Sequence, residues 1–326
     1  MSEKISIIAP FFNEEKNIKS FYDRLSKTLN GLNLEYEVIC VDDGSMDNTF
    51  NKLTEINEKD SKWKIISLSR NFGHQSAITM GQKLASGDFV GIIDTDLQDP
   101  PELFKELYKK IKNGYDCVYA VRNSRKENFI LNFCYKFFYL LMNKISIINI
   151  PRDTGDFCLI TKRINSKILS LKEKSRFVRG LRAWVGFKQT DLKYDREKRE
   201  KGKSKYSILN LFNLALDGIT NFSYTPLRLS TIFGTILGVL TLLAALIFVI
   251  IKIINPDYFI AGFTLNRFLI LFSTSVQLIF LGIIGEYLIK IFLEVKRRPV
   301  AIIKNSKGFD QNLVDEVKKD ALFSSN

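Results

Sequence analysis

Three carboxylates and an amide, Asp94, Asp96, Gln98 and Asp99, fall within six positions directly after the apolar run 89–93. Pro100 and Pro101 then close the segment and open an amphipathic stretch. A buried strand ending in Asp-x-Asp aims hard oxygen ligands at one point beyond a sheet. That suits a divalent cation that keeps waters and bridges two phosphates. By itself the segment also reads as a turn that merely finishes a strand or caps a helix. Two more polar clusters stand in the same relation to an apolar run: Asn13-Glu14 after 5–9, and Asp42-Asp43-Gly44-Ser45 after 37–41. Each alone is a helix start favoured by the dipole, or a turn and cap. Three in register on consecutive strand ends point to a site.

The elements that must position these groups alternate. Strands are expected at 5–9, 37–41, 65–68, 89–93 and 117–121. Between them, Ile18, Phe21, Leu25 and Leu29 have helical spacing, as do Leu103, Leu107 and Ile111, and a helix is expected over 76–85. Gly44 permits the turn after the second strand, and Ser45 or Asp47 can cap the helix that follows. Strands alternating with helices imply right-handed crossovers and a mostly parallel α/β sheet, with ligands beyond the carboxyl ends of its strands.

Composition narrows the partners. The 326 residues carry 48 Lys+Arg against 35 Asp+Glu, a net charge of +13 that favours anionic partners. The basic residues concentrate beside long apolar blocks, and no nucleic-acid motif is present, so nucleic acid is not the expected partner. The four cysteines have no paired short spacing and His74 is the single histidine, which disfavours a zinc site or a disulfide framework. The first strand starts almost at once with no secretory signal before it, so the first domain is expected in the cytoplasm.

The last third differs from the rest. Residues 229–251 are uncharged, about 23 residues and enough to span a bilayer. A short connector follows, and 268–285 is again uncharged, with an apolar pattern continuing past Glu286 to 293. Arg228, Lys290, Lys296, Arg297 and Arg298 flank the pair on one side, which places both termini in the cytoplasm by the positive-inside rule. Residues 129–150 are aromatic-rich and read equally as an interfacial helix or as one packed on the sheet or a partner subunit. Residues 208–222 are amphipathic, and 196–205 form a basic loop. The domain reading is a catalytic unit at 1–225, two spans within 226–295 and a polar cytoplasmic tail at 296–326.

Together these motifs resemble a known family. Pro10-Phe-Phe-Asn-Glu14, Asp42-Asp-Gly-Ser-x-Asp47 and Asp94-x-Asp-Leu-Gln-Asp-Pro-Pro are similar to those of family 2 glycosyltransferases of the Rossmann-like GT-A fold. Arg70-Asn-Phe-Gly-His-Gln75, Gly155-Asp-Phe157, Arg179-Gly180 and the spans ending Gly285-Glu-Tyr and Arg298-Pro299 resemble the polyprenyl-phosphate members, bactoprenol glucosyltransferases and dolichol-phosphate mannose synthase. The resemblance implies that Pro10, Phe12, Glu14 and Asp43 hold the nucleotide. It implies that Asp94 and Asp96 bind a divalent metal, Mg²⁺ or Mn²⁺, and the diphosphate, with Gln98 within reach of the metal. Arg122 and Arg125 match positions near the donor and acceptor phosphates, Asp156 faces the transferred sugar, and Arg196, Arg199 and Lys205 match a mobile basic loop. Phe12 stands where many relatives carry Tyr, and Cys158 where they commonly carry Arg.

The expected activity is inverting transfer of one sugar from a nucleoside diphosphate sugar to a membrane polyprenyl phosphate. Glucose, UDP-glucose and undecaprenyl phosphate are the first choices, with N-acetylglucosamine, galactose and mannose as alternative sugars. A processive polysaccharide synthase and a nucleotide-binding membrane scaffold are the rival readings. The 129–150 segment and the second span could support a homo-oligomer. The expected setting is the inner membrane, with membrane lipid as a partner.

Overall fold

The structure is a computed structural model that describes residues 3–122, 154–174, 176–195, 223–255 and 263–323. The segments 129–150 and 208–222, and the basic positions Arg125, Arg196, Arg199 and Lys205, lie outside the described residues.

The expected alternation is present. Strands β1 (Lys4–Phe11), β2 (Glu35–Asp42), β3 (Trp63–Leu68) and β4 (Phe89–Ile92) alternate with helices α1 (Ile18–Asn30), α2 (Thr49–Lys59) and α3 (His74–Leu84). After a 3-10 turn, Pro101–Leu103, come α4 (Phe104–Lys112) and β5 (Cys117–Arg122). Then follow β6 (Thr154–Thr161), α5 (Lys162–Ser170), α6 (Val178–Trp184) and β7 (Gln189–Tyr194). Two long helices, α7 (Thr225–Ile254) and α8 (Phe263–Val295), precede β8 (Ile303–Lys307) and α9 (Gln311–Phe323).

One eight-stranded sheet runs β7-β5-β6-β4-β1-β2-β3-β8. Its centre is parallel, as are β5 and β7, whereas β6 and β8 run antiparallel to their neighbours. Helices cover both faces, which is why the central strands are apolar throughout rather than alternating. On one face, Ile18, Phe21, Leu25 and Leu29 of α1 and Phe104, Leu107 and Ile111 of α4 pack against Ile5, Ile7 and Val38. On the other, α3, α5 and α6 pack against Ile8, Ile39 and Ile92. Helix α3 lies so close to β1 that a Cβ on Gly81 would stand 2.4 Å from Ile8 Cγ2. A glycine there lets α3 approach the sheet and sets the depth of its first residues.

The segment read as a polar tail is instead part of the fold. β8 pairs antiparallel with β3, and Ala301, Ile303, Val314 and Val317 are buried in the second core. The mostly polar composition of 304–326 concealed this, because an edge strand and a surface helix each bury only a few side chains.

Helices α7 and α8 contain stretches long and apolar enough to cross a membrane, Thr225–Ile251 and Leu269–Val295, with mean hydropathy 2.8 and 1.9. Neither stretch is buried inside the molecule. An apolar surface of that extent in water would be strongly unfavourable, so these are not core helices.

Beneath the sheet's amino-terminal ends lies a closed polar network. The Glu37 carboxylate is 1% exposed. It accepts hydrogen bonds from Ser6 Oγ (2.6 Å), Lys64 Nζ (2.7 Å), Lys4 Nζ (3.1 Å) and the Ser86 amide (2.9 Å). Burial alone would raise its pKa, but Lys64, Ser6 and Ser86 outweigh burial and hold it at about 2, below the usual 4.5. A depressed carboxylate stabilises the fold above its unfolded pKa and ceases to do so as pH falls through its folded pKa. The stability of wild type relative to Glu37→Gln is therefore expected to be largest above pH 4.5 and to shrink toward pH 2, by about 3 kcal/mol in all. Thermal unfolding of both proteins between pH 2 and 7 measures it; a pH-independent difference would show that the network does not act through ionised Glu37.

Candidate active site

The three acidic clusters do meet beyond the carboxyl ends of β1, β2 and β4. Asn13, in the left-handed region at φ 55, ties the first two together. Its amide donates to Ser45 Oγ (3.0 Å) and its side-chain oxygen accepts from the Met46 amide (2.9 Å). Neither expected residue is the N-cap, which is Asn48 with no side-chain cap hydrogen bond; Asp47, just before it, accepts from the Thr49 amide at 3.0 Å. Ser45 instead serves Asn13. Phe12 is 36% exposed beside this loop pair, whereas Phe11, one residue earlier, is in the core. Glu14 accepts from Asn17 Nδ2 at 2.6 Å, and the carbonyl of Pro10 accepts from the Thr95 hydroxyl at 3.1 Å.

Asp42 and Asp43 are both 2% exposed. Asp42 accepts from the Ser45 amide and from Ser67 Oγ. Asp43 spends one oxygen on the Phe72 amide (2.7 Å) and the other on the Gly73 amide (2.9 Å). It thereby pins the loop that leads into α3. Gly44, at φ 69, passes so near this loop that a Cβ would lie 2.4 Å from the Arg70 carbonyl carbon, which no side chain could tolerate.

Beyond β4, side chains alternate. Asp94, Asp96 and Gln98 are partly exposed, while Thr95, Leu97 and Asp99 are buried. Leu97 is held at φ 58, a conformation that L side chains avoid. This turn keeps Asp94, Asp96 and Gln98 facing the cleft and sends Asp99 inward. There Asp99 Oδ1 accepts a short hydrogen bond from the Tyr194 hydroxyl. Tyr194 in turn accepts from Arg122 Nε at 3.4 Å. Burial opposes the charge of Arg122, but Asp99 and Tyr194 favour its charged form.

The antiparallel strand β6 completes the site. Its last pair with β4 is Ile92 with Cys158. Continued two residues further, that register brings Asp156 level with Asp94. Asp156 is 2% exposed. Arg179 of α6 donates through Nε (2.8 Å) and Nη2 (3.1 Å). Gln75 Nε2 donates at 3.0 Å, and His74 Nε2 lies 3.2 Å away. Burial opposes the charge, but Arg179 and His74 hold Asp156 well below the usual carboxylate range.

The same His74 nitrogen is 3.4 Å from Asp94 Oδ1. Although burial disfavours its charge, Asp94 and Asp156 raise its pKa to about 9, so it is an imidazolium at neutral pH. Asp94 is pushed up to about 6, first by burial and, against the pull of His74, by Asp99, Asp156 and Asp96. Carboxylates crowded in this way favour a cation among them. Among the described residues no three His, Cys, Asp or Glu side chains form a complete ligand set. Asp94 and Asp96 offer carboxylate oxygens of the kind that hard divalent ions take.

Cys158 is fully buried in the core below Asp156 and does not line the cleft. A guanidinium reaches its neighbourhood from a different element: Arg182 of α6, 2% exposed, lies against Cys158 and over the Tyr119 ring at 5.1 Å.

Sequence reasoning left His74, Gln75, Arg179, Tyr194 and Asp99 without roles in the site. Two of the quoted motifs, Arg70 to Gln75 and Arg179-Gly180, contain three of them, but one-dimensional spacing does not show that both converge on Asp156.

The model of the family described as Glycosyl transferase family 2 matches residues 6–169, half of the chain and the segment that carries all three acidic clusters. The chain belongs to that family. It is a glycosyltransferase, and its mixed α/β sheet is the fold expected of the GT-A class. An uncharacterized glycosyltransferase of Synechocystis, sll0501, is 42% identical over 95% of this chain and 98% of its own length. The bactoprenol glucosyl transferase of Shigella phage SfV is 37% identical over 93% of this chain and 99% of its own length. Among solved structures, S. aureus TarS 1-349 in complex with UDP-GlcNAc covers 67% of this chain and 65% of its own length at 19% identity. Its TM-score is 0.45, a likeness too slight to add to the family assignment.

Proposed function

We propose that this glycosyltransferase moves one glucose from UDP-glucose to the phosphate of undecaprenyl phosphate, with inversion at the anomeric carbon. The observation that carries the reading is the end-to-end similarity to the phage bactoprenol glucosyl transferase, which extends through both apolar helices, well past the family domain. The lipid-linked sugar would serve modification of a cell-envelope glycan.

In this reading the nucleotide lies over the β1 and β2 ends, with the base against the exposed Phe12 ring and Pro10 and Glu14 beside it. Asp43 supports this half of the site indirectly, through the loop it pins. Asp94 and Asp96 face the diphosphate and would hold Mg²⁺ or Mn²⁺, with Gln98 alongside. When bound, that ion neutralises charge developing on the leaving diphosphate. Arg122, held by Asp99 and Tyr194, supplies positive charge near the phosphates. Arg125, Arg196, Arg199 and Lys205 are proposed for the acceptor on resemblance alone.

The acceptor oxygen forms a bond to the anomeric carbon as the bond from that carbon to the diphosphate breaks, and UDP leaves. A phosphate monoester has its second pKa at about 6, so the nucleophile is already an anion and needs no strong base. Asp156, kept ionised by Arg179 and His74, is suited to orient a sugar hydroxyl rather than to take up a proton.

The spans hold the catalytic face at the inner leaflet, where the lipid phosphate sits. Arg228 at the start of α7 and Lys296, Arg297 and Arg298 after α8 favour a cytoplasmic location for both ends of the pair. The return of β8 to the catalytic sheet supports an even number of crossings, because residues before and after the pair share one sheet.

The test is a donor screen on the purified full chain in detergent, with undecaprenyl phosphate, Mg²⁺ or Mn²⁺ and a panel of UDP- and GDP-sugars. Mass analysis of the lipid product is expected to show one hexose from UDP-glucose, lost on chelation. A ladder of sugars would favour a polymerase instead. Bound nucleotide with no glycolipid from any donor would refute the transfer.

A further inference from the structure

The second apolar helix is joined to the catalytic carboxylate through a short chain of contacts outside the acidic motifs. Glu294 lies in the last turn of α8, and both its carboxylate oxygens accept from the Lys174 amide, at 2.8 and 3.0 Å. Lys174 belongs to the connection between α5 and α6. In the same connection the half-buried Arg176 donates to the carbonyls of Ile168 (2.5 Å) and Leu171 (3.2 Å) at the end of α5. Its charge also lies near Glu173 and Glu294. Four residues after Lys174, the amide of Val178, the first residue of α6, donates to Gln75 Oε1 at 2.8 Å. The other end of the Gln75 amide donates to Asp156, and the next residue of α6, Arg179, makes the two-nitrogen contact with that carboxylate.

We infer that Glu294 is a positioning residue that couples the seat of the membrane helix to the placement of α6 and Arg179 at Asp156. This deepens the reading of a membrane lipid acceptor and rests on it. An acceptor fixed in a bilayer demands that the reacting groups stand at a set height above the spans. A backbone amide clamped by a carboxylate from the span's end is a stiff way to set it, because a charge-assisted hydrogen bond to the main chain leaves no side-chain rotamer free on the donor side. Helix α6 packs on β6, which β4 separates from the β1 and β2 ends proposed to hold the nucleotide. Loss of the clamp therefore disturbs sugar and acceptor geometry without loosening the donor nucleotide.

The experiment compares wild type, Glu294→Ala, Gln75→Ala and the double variant, each as full chain in detergent or nanodiscs. Amide hydrogen exchange over 171–184 is expected to speed up by about threefold or more in Glu294→Ala, while residues 35–59 exchange as in wild type. UDP affinity should stay within about twofold, showing an intact fold, and kcat for lipid glycosylation should drop by about tenfold. In the Gln75→Ala background, where the first residue of α6 is already released from α3, the added loss from Glu294→Ala should be clearly smaller. Unchanged exchange over 171–184, or fully additive losses, would overturn the inference. If wild type glycosylates no lipid with any donor, the functional reading fails, while the exchange comparison still decides whether Glu294 holds α6.

Discussion

Asp94→Asn and Asp96→Asn are each expected to lower lipid glycosylation by about 100-fold or more at saturating metal, with protein yield and unfolding temperature close to wild type. Both side chains face the cleft and neither belongs to the core, so the isosteric amides should fold. Each amide still offers one oxygen but removes a negative charge from a site whose carboxylates already crowd one another. Asp94 has the stronger claim. Burial and the neighbouring carboxylates raise its pKa to about 6, and its Oδ1 lies 3.4 Å from His74 Nε2. Turnover measured across a metal titration is the check. Near wild-type rates in either variant at any metal concentration would remove these carboxylates from the chemistry.

Asp156→Asn is expected to reduce turnover by a similar factor, and in addition to destabilise the protein. The carboxylate is almost wholly buried and compensates Arg179 and His74. Removing one member of a buried ion pair typically costs 3–5 kcal/mol, and Arg179, whose side chain is 30% exposed, places this case at about the lower bound. The pH dependence separates two roles. A carboxylate held well below its usual range stays ionised throughout the neutral and mildly acidic region, so an orienting Asp156 adds no acid limb to the wild-type rate profile above about pH 5. A proton-accepting Asp156 would need a pKa close to the working pH. Asp94 and the acceptor phosphate, both near 6, give an acid limb of their own, so rates between pH 5 and 8 are compared for wild type and Asp156→Asn, with unfolding temperatures for the variant. An acid limb in that range that vanishes in Asp156→Asn would reverse the assignment.

Much of this protein could be read without coordinates, for a simple reason. Ile18, Phe21, Leu25 and Leu29 repeat at the helical period and are all buried, and the apolar runs before Asn13, Asp42 and Asp94 are all central strands. Local periodicity records burial directly, and strand ends in a parallel sheet gather at one edge, so the convergence of the three acidic clusters followed from chain order. The apolar stretches of α7 and α8 were equally legible, because a bilayer demands length and hydropathy and little else.

Tertiary structure decided what depends on pairing across long separations. The antiparallel insertion of β6 between β4 and β5 brings Asp156 beside Asp94, and no local pattern encodes the direction in which a strand enters a sheet. His74, Gln75 and Arg179 stood in two quoted motifs without a role until that strand supplied their common partner. That Asp43, expected at the nucleotide, also accepts from the Phe72 and Gly73 amides was visible only in the fold. The polar stretch after residue 303 read as a tail and proved to carry the eighth strand. Composition reports how much of a segment is apolar, whereas partners of side chains and strand edges are set by neighbours distant in sequence. The acidic residues, their order and the two long apolar stretches were thus determined by the sequence alone. Which carboxylate faces the cleft, which is ionised and what holds it there were decided only by the fold, because charge, burial and hydrogen bonding are properties of surroundings.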